Sequence, residues 1–216
     1  PRYTFRVGEE LVYEQTAAVN RLAAPGSYNA IRPLDRSFRT VVTPVRQNAD
    51  GSWRLLARTS TRLFRFREDE SPRVRFENET LGYVDLAPDG SYEKNPSLGE
   101  TILFNFVPEV LFPPLPLRDG SVSPTRATGA THHLKTLSSD DGVSRLGGQV
   151  TTPLDARYNN HVSKLVDFDQ RAGRPTRLRR DSAGGDAGDW FNTATTIELV
   201  EVRQRSPQWV AAYEAA

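Results

Sequence analysis

The 216-residue chain contains no cysteine and no methionine. Within this stretch that excludes disulfides, thiolate metal sites, a cysteine nucleophile and a lipidated N-terminal cysteine. Lysine is nearly missing as well: of 28 basic residues, 25 are arginine and three are lysine. An excess of one charge is also lacking, since 28 basic side chains face 27 acidic ones for a net charge of +1. That balance argues against a dedicated nucleic-acid binder. No apolar run reaches the roughly 18 residues that a membrane-crossing helix needs. With 37% hydrophobic and 25% charged residues, the composition is that of a soluble globular domain rather than a disordered chain. The first residue is Pro1, which reads as a mature product or as a piece of a longer protein.

What is present is β-pattern. Residues 2–7 alternate, with Tyr3, Phe5 and Val7 on one face and Arg2, Thr4 and Arg6 on the other. Strands are further expected at 11–19, 36–47, 52–67, 73–78, 81–86, 91–94, 129–137, 143–150, 161–168, 174–181 and 190–204. Asn48-Ala49-Asp50-Gly51 between two long arms is the strongest hairpin signal, because Asp-Gly supplies the positive φ of a tight turn. Pro88-Asp89-Gly90, Asp119-Gly120 and Asp141-Gly142 punctuate the chain in the same way. Pro44 predicts an edge or a bulge, and the change of apolar parity between Leu56 and Leu63 predicts a second bulge. Ser182–Asp189, rich in Gly and Asp, reads as a loop.

These features predict an all-β or β-rich fold: a large curved antiparallel sheet, half-barrel or barrel-like, with one or two short helices and a C-terminal helix. Residues 1–205 form the β domain. In 206–216, Ser206 fits an N-cap and Pro207 the first helical position. Trp209, Val210 and Tyr213 give that helix one apolar face, expected to pack on the sheet, meet a partner or lead into further chain. The stretch 101–117 is strongly apolar but broken by prolines 108, 113, 114 and 116. It reads as a plug for the open mouth of the sheet, a cavity lining or a partner contact.

Chemistry is sparse. His132 and His133 are adjacent and so point to opposite faces of a strand, leaving at most one to meet His161; no metal site and no cofactor are expected. No Gly-x-Ser-x-Gly elbow supports a serine nucleophile, and Ser91–Lys94 lacks the helix that a Ser-x-x-Lys pair requires. Asp167 and Asp169 share a strand face, while Asp181, Asp186 and Asp189 match no calcium-loop spacing. Arg171, Arg174, Arg177, Arg179 and Arg180 crowd ten residues, suiting phosphate headgroups, an acidic polysaccharide, an acidic partner or a charge-protected strand edge.

Tyr3, Phe5, Gly8, Glu9 and Tyr13 form a Tyr-x-Phe-x-x-Gly-Glu-x-x-x-Tyr opening, and residues 95–99 with 113–116 carry an Asn-Pro-Ser-Leu-Gly…Pro-Pro-Leu-Pro passage. In these the chain resembles a loose group of bacterial envelope proteins, similar in outline to the lipoprotein-carrier class. The resemblance implies an extracytoplasmic, non-enzymatic curved sheet around an apolar cavity, and offers no catalytic residues. Arg118-Asp119-Gly120-Ser121 stands where members often carry Gly-Asp-x-Trp.

The leading expectation is a domain that binds a lipid-like ligand, with Phe104, Phe106, Val110, Leu111 and Phe112 as cavity or lid residues. The alternative is an interaction subunit of an envelope assembly, contacting partners through Trp209, Val210, Tyr213 and the 171–180 arginines. A hydrolase, carbohydrate-active or other, is the remaining class.

Overall fold

The computed structural model describes residues 1–23, 34–67, 70–93, 108–116, 123–124, 131–151, 161–186 and 189–214. Eleven strands form one antiparallel sheet: β1 (Glu9–Ala23), β2 (Leu34–Gln47), β3 (Trp53–Arg67), β4 (Glu70–Leu86), β5 (Tyr92–Glu93), β6 (Ser123–Pro124), β7 (Thr131–Asp140), β8 (Val143–Thr151), β9 (His161–Asp169), β10 (Arg174–Asp186) and β11 (Asp189–Gln204). Among the described residues two helices accompany them, α1 (Pro108–Leu111) and α2 (Pro207–Glu214). The spatial order is β5-β4-β3-β2-β1-β11-β10-β9-β8-β7-β6. Two meanders thus meet where the first and last long strands pair, and short two-residue strands form the edges.

Asp119-Gly120 lies outside the described residues, and the three other turns marked by Asp-Gly lie at one end of the sheet. Gly51, Gly90 and Gly142 all adopt positive φ there, as the Asp-Gly signals foretold. The Pro44 signal also holds: β2 shifts register between Pro44 and Arg46. The second bulge, expected in β3 between Leu56 and Leu63, is absent: pairing runs unbroken over Leu55–Arg65 on the β2 side and over Trp53–Leu63 on the β4 side, and the apolar parity changes because Leu56 lies on the opposite face from the core residues Leu55 and Ala57.

Several boundaries differ from expectation. Residues 2–7 join no strand. Tyr3 and Phe5 are buried as the alternation requires, but Val7 is exposed. The segment instead bridges the two halves of the sheet: Tyr3 N–H donates to Pro88 C=O at 2.7 Å and Thr4 N–H to Gly173 C=O at 3.0 Å. The expected 73–78 and 81–86 strands are one, because no turn residue separates them and the pairing with β3 runs on through Thr80 and Leu81. The Ser182–Asp189 loop is absent up to Asp186, since Ser182 to Asp186 pair in register with β11. Backbone pairing there overrides the low strand propensity of Gly184 and Gly185.

The sheet is strongly curved. Trp53 on β3 meets Phe5 at 5.8 Å between ring centroids, Phe5 meets Tyr3 at 6.3 Å, and Tyr3 meets Phe168 on β9 at 5.6 Å. Five strand spacings separate β3 from β9, about 24 Å in a flat sheet. Three such ring contacts cannot span that, so the two arms bend toward each other around the N-terminal segment. Leu111, Phe112 and Leu115 complete this core, with Phe112 edge-on to Tyr3, Phe5 and Tyr13. We call the face that carries them inner. No described helix is long and apolar enough to cross a membrane.

Candidate functional site

The inner face changes character along the strands. At the turn end it is filled by the aromatic plug. Beyond the level of Tyr13, whose hydroxyl donates to Pro175 C=O at 3.2 Å, the inward positions become polar. Thr40 and Thr59 face each other across β2 and β3 with hydroxyls 3.2 Å apart. Thr61, Thr195, Lys164 and His132 are all buried. Strand register fixes one cross-strand row through Leu134, Gly148, Lys164, Arg180 and Thr195. The next row outward joins His132, Val150, Val162, Ser182 and Thr193. Val150 and Val162 form an apolar patch separate from the main core.

Two buried side chains among the described residues carry polar atoms without a hydrogen-bond partner, Thr61 through Oγ1 and His132 through both ring nitrogens. Both lie on the inner face beyond the plug, one on each arm of the sheet. Burial first, then the neighbouring Lys164 and Arg180 charges, pushes the His132 imidazole down to about 3. It is therefore neutral at physiological pH, with one N–H to donate and one lone pair to accept.

The outer face carries a depression of about 520 Å³ between α2 and strands β2–β4. Trp209 and Tyr213 line it together with Val41, Leu56 and Leu81. Helix α2 is held from both ends. Ser206 Oγ accepts from the Trp209 N–H at 3.2 Å, satisfying the N-cap expectation. The last-turn carbonyls of Tyr213 and Glu214 accept from the Tyr83 hydroxyl at 3.1 Å and from Arg46 at 3.2 Å. Below the helix, the buried Glu10 carboxylate receives Arg205 Nε at 2.7 Å, and the same guanidinium stands 5.2 Å from the Trp209 ring.

The residues singled out from sequence fall in different places. Phe104 and Phe106 lie outside the described residues. Leu111 and Phe112 are buried in the plug and Val110 packs partly buried against it; none lines a described depression. Val210 is buried on the outer face, while Trp209 and Tyr213 are half-exposed with rings 4.6 Å apart. The five arginines do not form one patch. Arg171 sits in the β9–β10 turn, and Arg174 makes a largely buried ion pair with Glu9 at 2.6 Å. Arg177 pairs with Glu198 and Arg179 with Asp181 on the outer face. Of Arg177, Arg179 and Arg180, only Arg180 projects inward, in the row of Lys164. Strand β10 is also no edge, being paired on both sides by β9 and β11, so edge protection does not explain its charge.

The adjacent histidines part as expected, His132 buried and His133 exposed. His161 is exposed one position from the inward Val162. Asp167 binds Arg145 at 2.7 Å, and Asp169 accepts the Arg171 and Ala172 N–H groups of the turn. No three His, Asp or Glu side chains converge as metal ligands among the described residues. Lys164 and Glu10 were missed. Lys164 carried a signal, since it occupies the apolar phase of Val162-Ser163-Lys164-Leu165-Val166, where an alternating strand turns its side chain inward. Glu10 carried none, because its burial depends on α2 and Arg205.

No family model matches the chain, and no curated protein matches it.

Proposed function

We propose that this chain is a non-catalytic binding domain whose inner face, beyond the aromatic plug, receives a ligand with a substantial apolar part. The observation that supports it is the pair of orphaned buried polar groups, Thr61 Oγ1 and the His132 imidazole, on the inner face of opposite arms. Unsatisfied buried polar atoms cost free energy and are uncommon in folded proteins. That both lie on one side of one curved sheet supports a partner on that side which the folded chain does not supply. The Val150–Val162 patch gives the same region apolar surface, and each buried methylene of a ligand contributes about 0.8 kcal/mol.

This reading moves the ligand away from Leu111 and Phe112, whose side chains are taken up by the core, and onto the strand faces. The resemblance of the Tyr3–Tyr13 opening to envelope proteins favours an extracytoplasmic setting for it.

The test is uptake of N-phenyl-1-naphthylamine, a neutral apolar fluorophore. Thr193→Trp fills the inner face, whereas Asn192→Trp, its neighbour on the same strand, points outward. Saturable uptake by the parent and by Asn192→Trp, lost in Thr193→Trp with the far-UV spectrum unchanged, is the expected result. Equal behaviour of the two variants, or no saturable uptake by the parent, defeats the reading.

A second reading, an interaction module, is favoured by the outer depression with its half-exposed Trp209 and Tyr213, since Trp, Tyr and Arg are the residues that anchor interfaces. Substituting Leu81→Asp, an exposed residue on its rim, would weaken capture of a partner through this face and leave fluorophore uptake intact.

A further inference from the structure

Tyr3 and Phe5 stack on one side of the N-terminal segment, with ring centroids 6.3 Å apart and planes 6° from parallel. That is the spacing of alternate residues in an extended chain, so Arg2, Thr4 and Arg6 face the other way. Both arginines are exposed. The β9–β10 turn closes against this side: the Thr4 N–H donates to Gly173 C=O at 3.0 Å and the Thr4 hydroxyl to Ala172 C=O at 3.4 Å. Glycine permits the approach, since a Cβ at position 173 would collide with Thr4 Oγ1. The turn thereby sets the exposed Arg171 beside the segment.

Two adjoining depressions result. Arg6, Arg171 and the Arg174–Glu9 ion pair line one of about 360 Å³; Arg2, Arg171 and Gln170 line another of about 550 Å³, and Thr4 borders both. Four arginines thus stand against one carboxylate, which Arg174 already holds. Asp169 at the base of the turn spends its carboxylate on the Arg171 and Ala172 N–H groups. Elsewhere on the sheet Arg54, Arg145, Arg177 and Arg179 each find a carboxylate. Among the described residues no hydrogen bond or ion pair engages the guanidinium of Arg2, Arg6 or Arg171. Three free guanidiniums in one groove leave an anionic ligand as the complement.

Arg2 and Arg6 line different depressions, with Arg171 shared between them, so the groove addresses successive charges along a chain rather than one ion. Phe5 lines it but is buried against Trp53 and Phe112, which leaves no aromatic platform for nucleic-acid bases. Two recesses suit a thread-like polymer better than the broad surface of a bilayer. Thr4 and Gln170 add polar groups for hydroxyls. We propose that Arg2, Arg6 and Arg171 form a groove that binds a linear acidic polysaccharide. This site does not rest on the inner-face reading.

The experiment measures anisotropy of an end-labelled decagalacturonate at low ionic strength, with its methyl ester as the uncharged counterpart and a dextran sulfate of the same length beside it. The parent is expected to bind at least one acidic oligomer and not the ester, and the preferred oligomer tells carboxylate from sulfate. Arg6→Gln and Arg171→Gln should each weaken binding roughly three- to fivefold, the range of an exposed ion pair. Arg177→Gln, which removes the same charge from the outer face, should leave it unchanged. An equal loss in Arg177→Gln would reduce the effect to overall charge and overturn the groove. Monomeric galacturonate binding as tightly as the decamer would make this a single-anion site and overturn the polymer. Phosphatidylglycerol vesicles or single-stranded DNA bound in place of the oligomers, with the same dependence on Arg6 and Arg171, would overturn the polysaccharide. Binding of neither acidic oligomer overturns the proposal and leaves the fluorophore test of the inner face untouched.

Discussion

The Tyr3 hydroxyl donates to the Pro113 carbonyl at 2.8 Å, joining residues 110 positions apart in the chain. Tyr3 is wholly buried, with its ring edge-on to Phe112 and Phe168. This one residue therefore ties the N-terminal segment, the proline-rich segment and strand β9 together at the closed end of the sheet. Tyr3→Phe keeps the ring but leaves a buried carbonyl without its donor, a loss of about 1–3 kcal/mol. Tyr3→Ala also opens a cavity and should cost about 3–5 kcal/mol. Urea unfolding of both variants checks the order; equal losses would mean that the hydrogen bond contributes nothing.

The same end gives a paired glycine test. Gly51 and Gly90 both have φ near +85°, at 84° and 86°. A Cβ at Gly51 would meet nothing within 4 Å, whereas one at Gly90 would come within 2.8 Å of the Pro113 oxygen and of the Tyr3 ring. Gly51→Ala should cost only the left-handed backbone penalty, about 1–2 kcal/mol. Gly90→Ala should lose about 1–3 kcal/mol more, because the plug must shift. Thermal unfolding of the two variants side by side separates backbone strain from packing.

The strands were legible in the sequence because the chain alternates apolar and polar residues and marks its tight turns with Asp-Gly. The inner-face placement of Tyr3, Phe5, Leu11 and Tyr13 follows from that period alone. The fate of Phe112 did not, because whether an apolar segment fills a cavity or lines one depends on how far the sheet curls. The arginine cluster misled for a related reason. Composition counts Arg171 to Arg180 as one group, but a period of two sends Arg177 and Arg179 outward and Arg180 inward, and Arg174 finds a carboxylate 165 positions away. Which strand is an edge was equally invisible, since the pairing of β1 with β11 is set by the closure of two meanders rather than by any local signal.

Glu10 gives a prediction on the outer face. Its carboxylate is buried and bound by Arg205 at 2.5–2.7 Å, with Arg203 more distant at 3.9 Å. Arg205→Leu strands a buried charge and should cost about 3–5 kcal/mol. Removing residues 206–216 while keeping Arg205 takes away α2, whose one buried side chain is Val210, and should cost about 1.5–3 kcal/mol. The double variant Glu10→Leu with Arg205→Leu should recover most of the single-variant loss, since the uncompensated charge is gone. Failure to recover would show that packing of the arginine stem, not its charge, holds this region.

The inner face makes its own signature in the pH dependence of stability. His132 is held down to about 3 against an ordinary value of 6.5, by burial and then by Lys164 on β9, Arg180 on β10 and His133 beside it. Below 6.5 the unfolded chain takes up a proton at this position and the folded chain does not, so folding loses stability as the pH falls from 6.5 toward 3. The limiting slope for one such group is about 1.4 kcal/mol per pH unit. Between pH 6.5 and 5 the parent should therefore lose roughly 1–2 kcal/mol more than His132→Gln, which cannot titrate. Parallel stability profiles for parent and variant would show that His132 is solvated in the folded state, and would remove the orphaned imidazole on which the inner-face site is built.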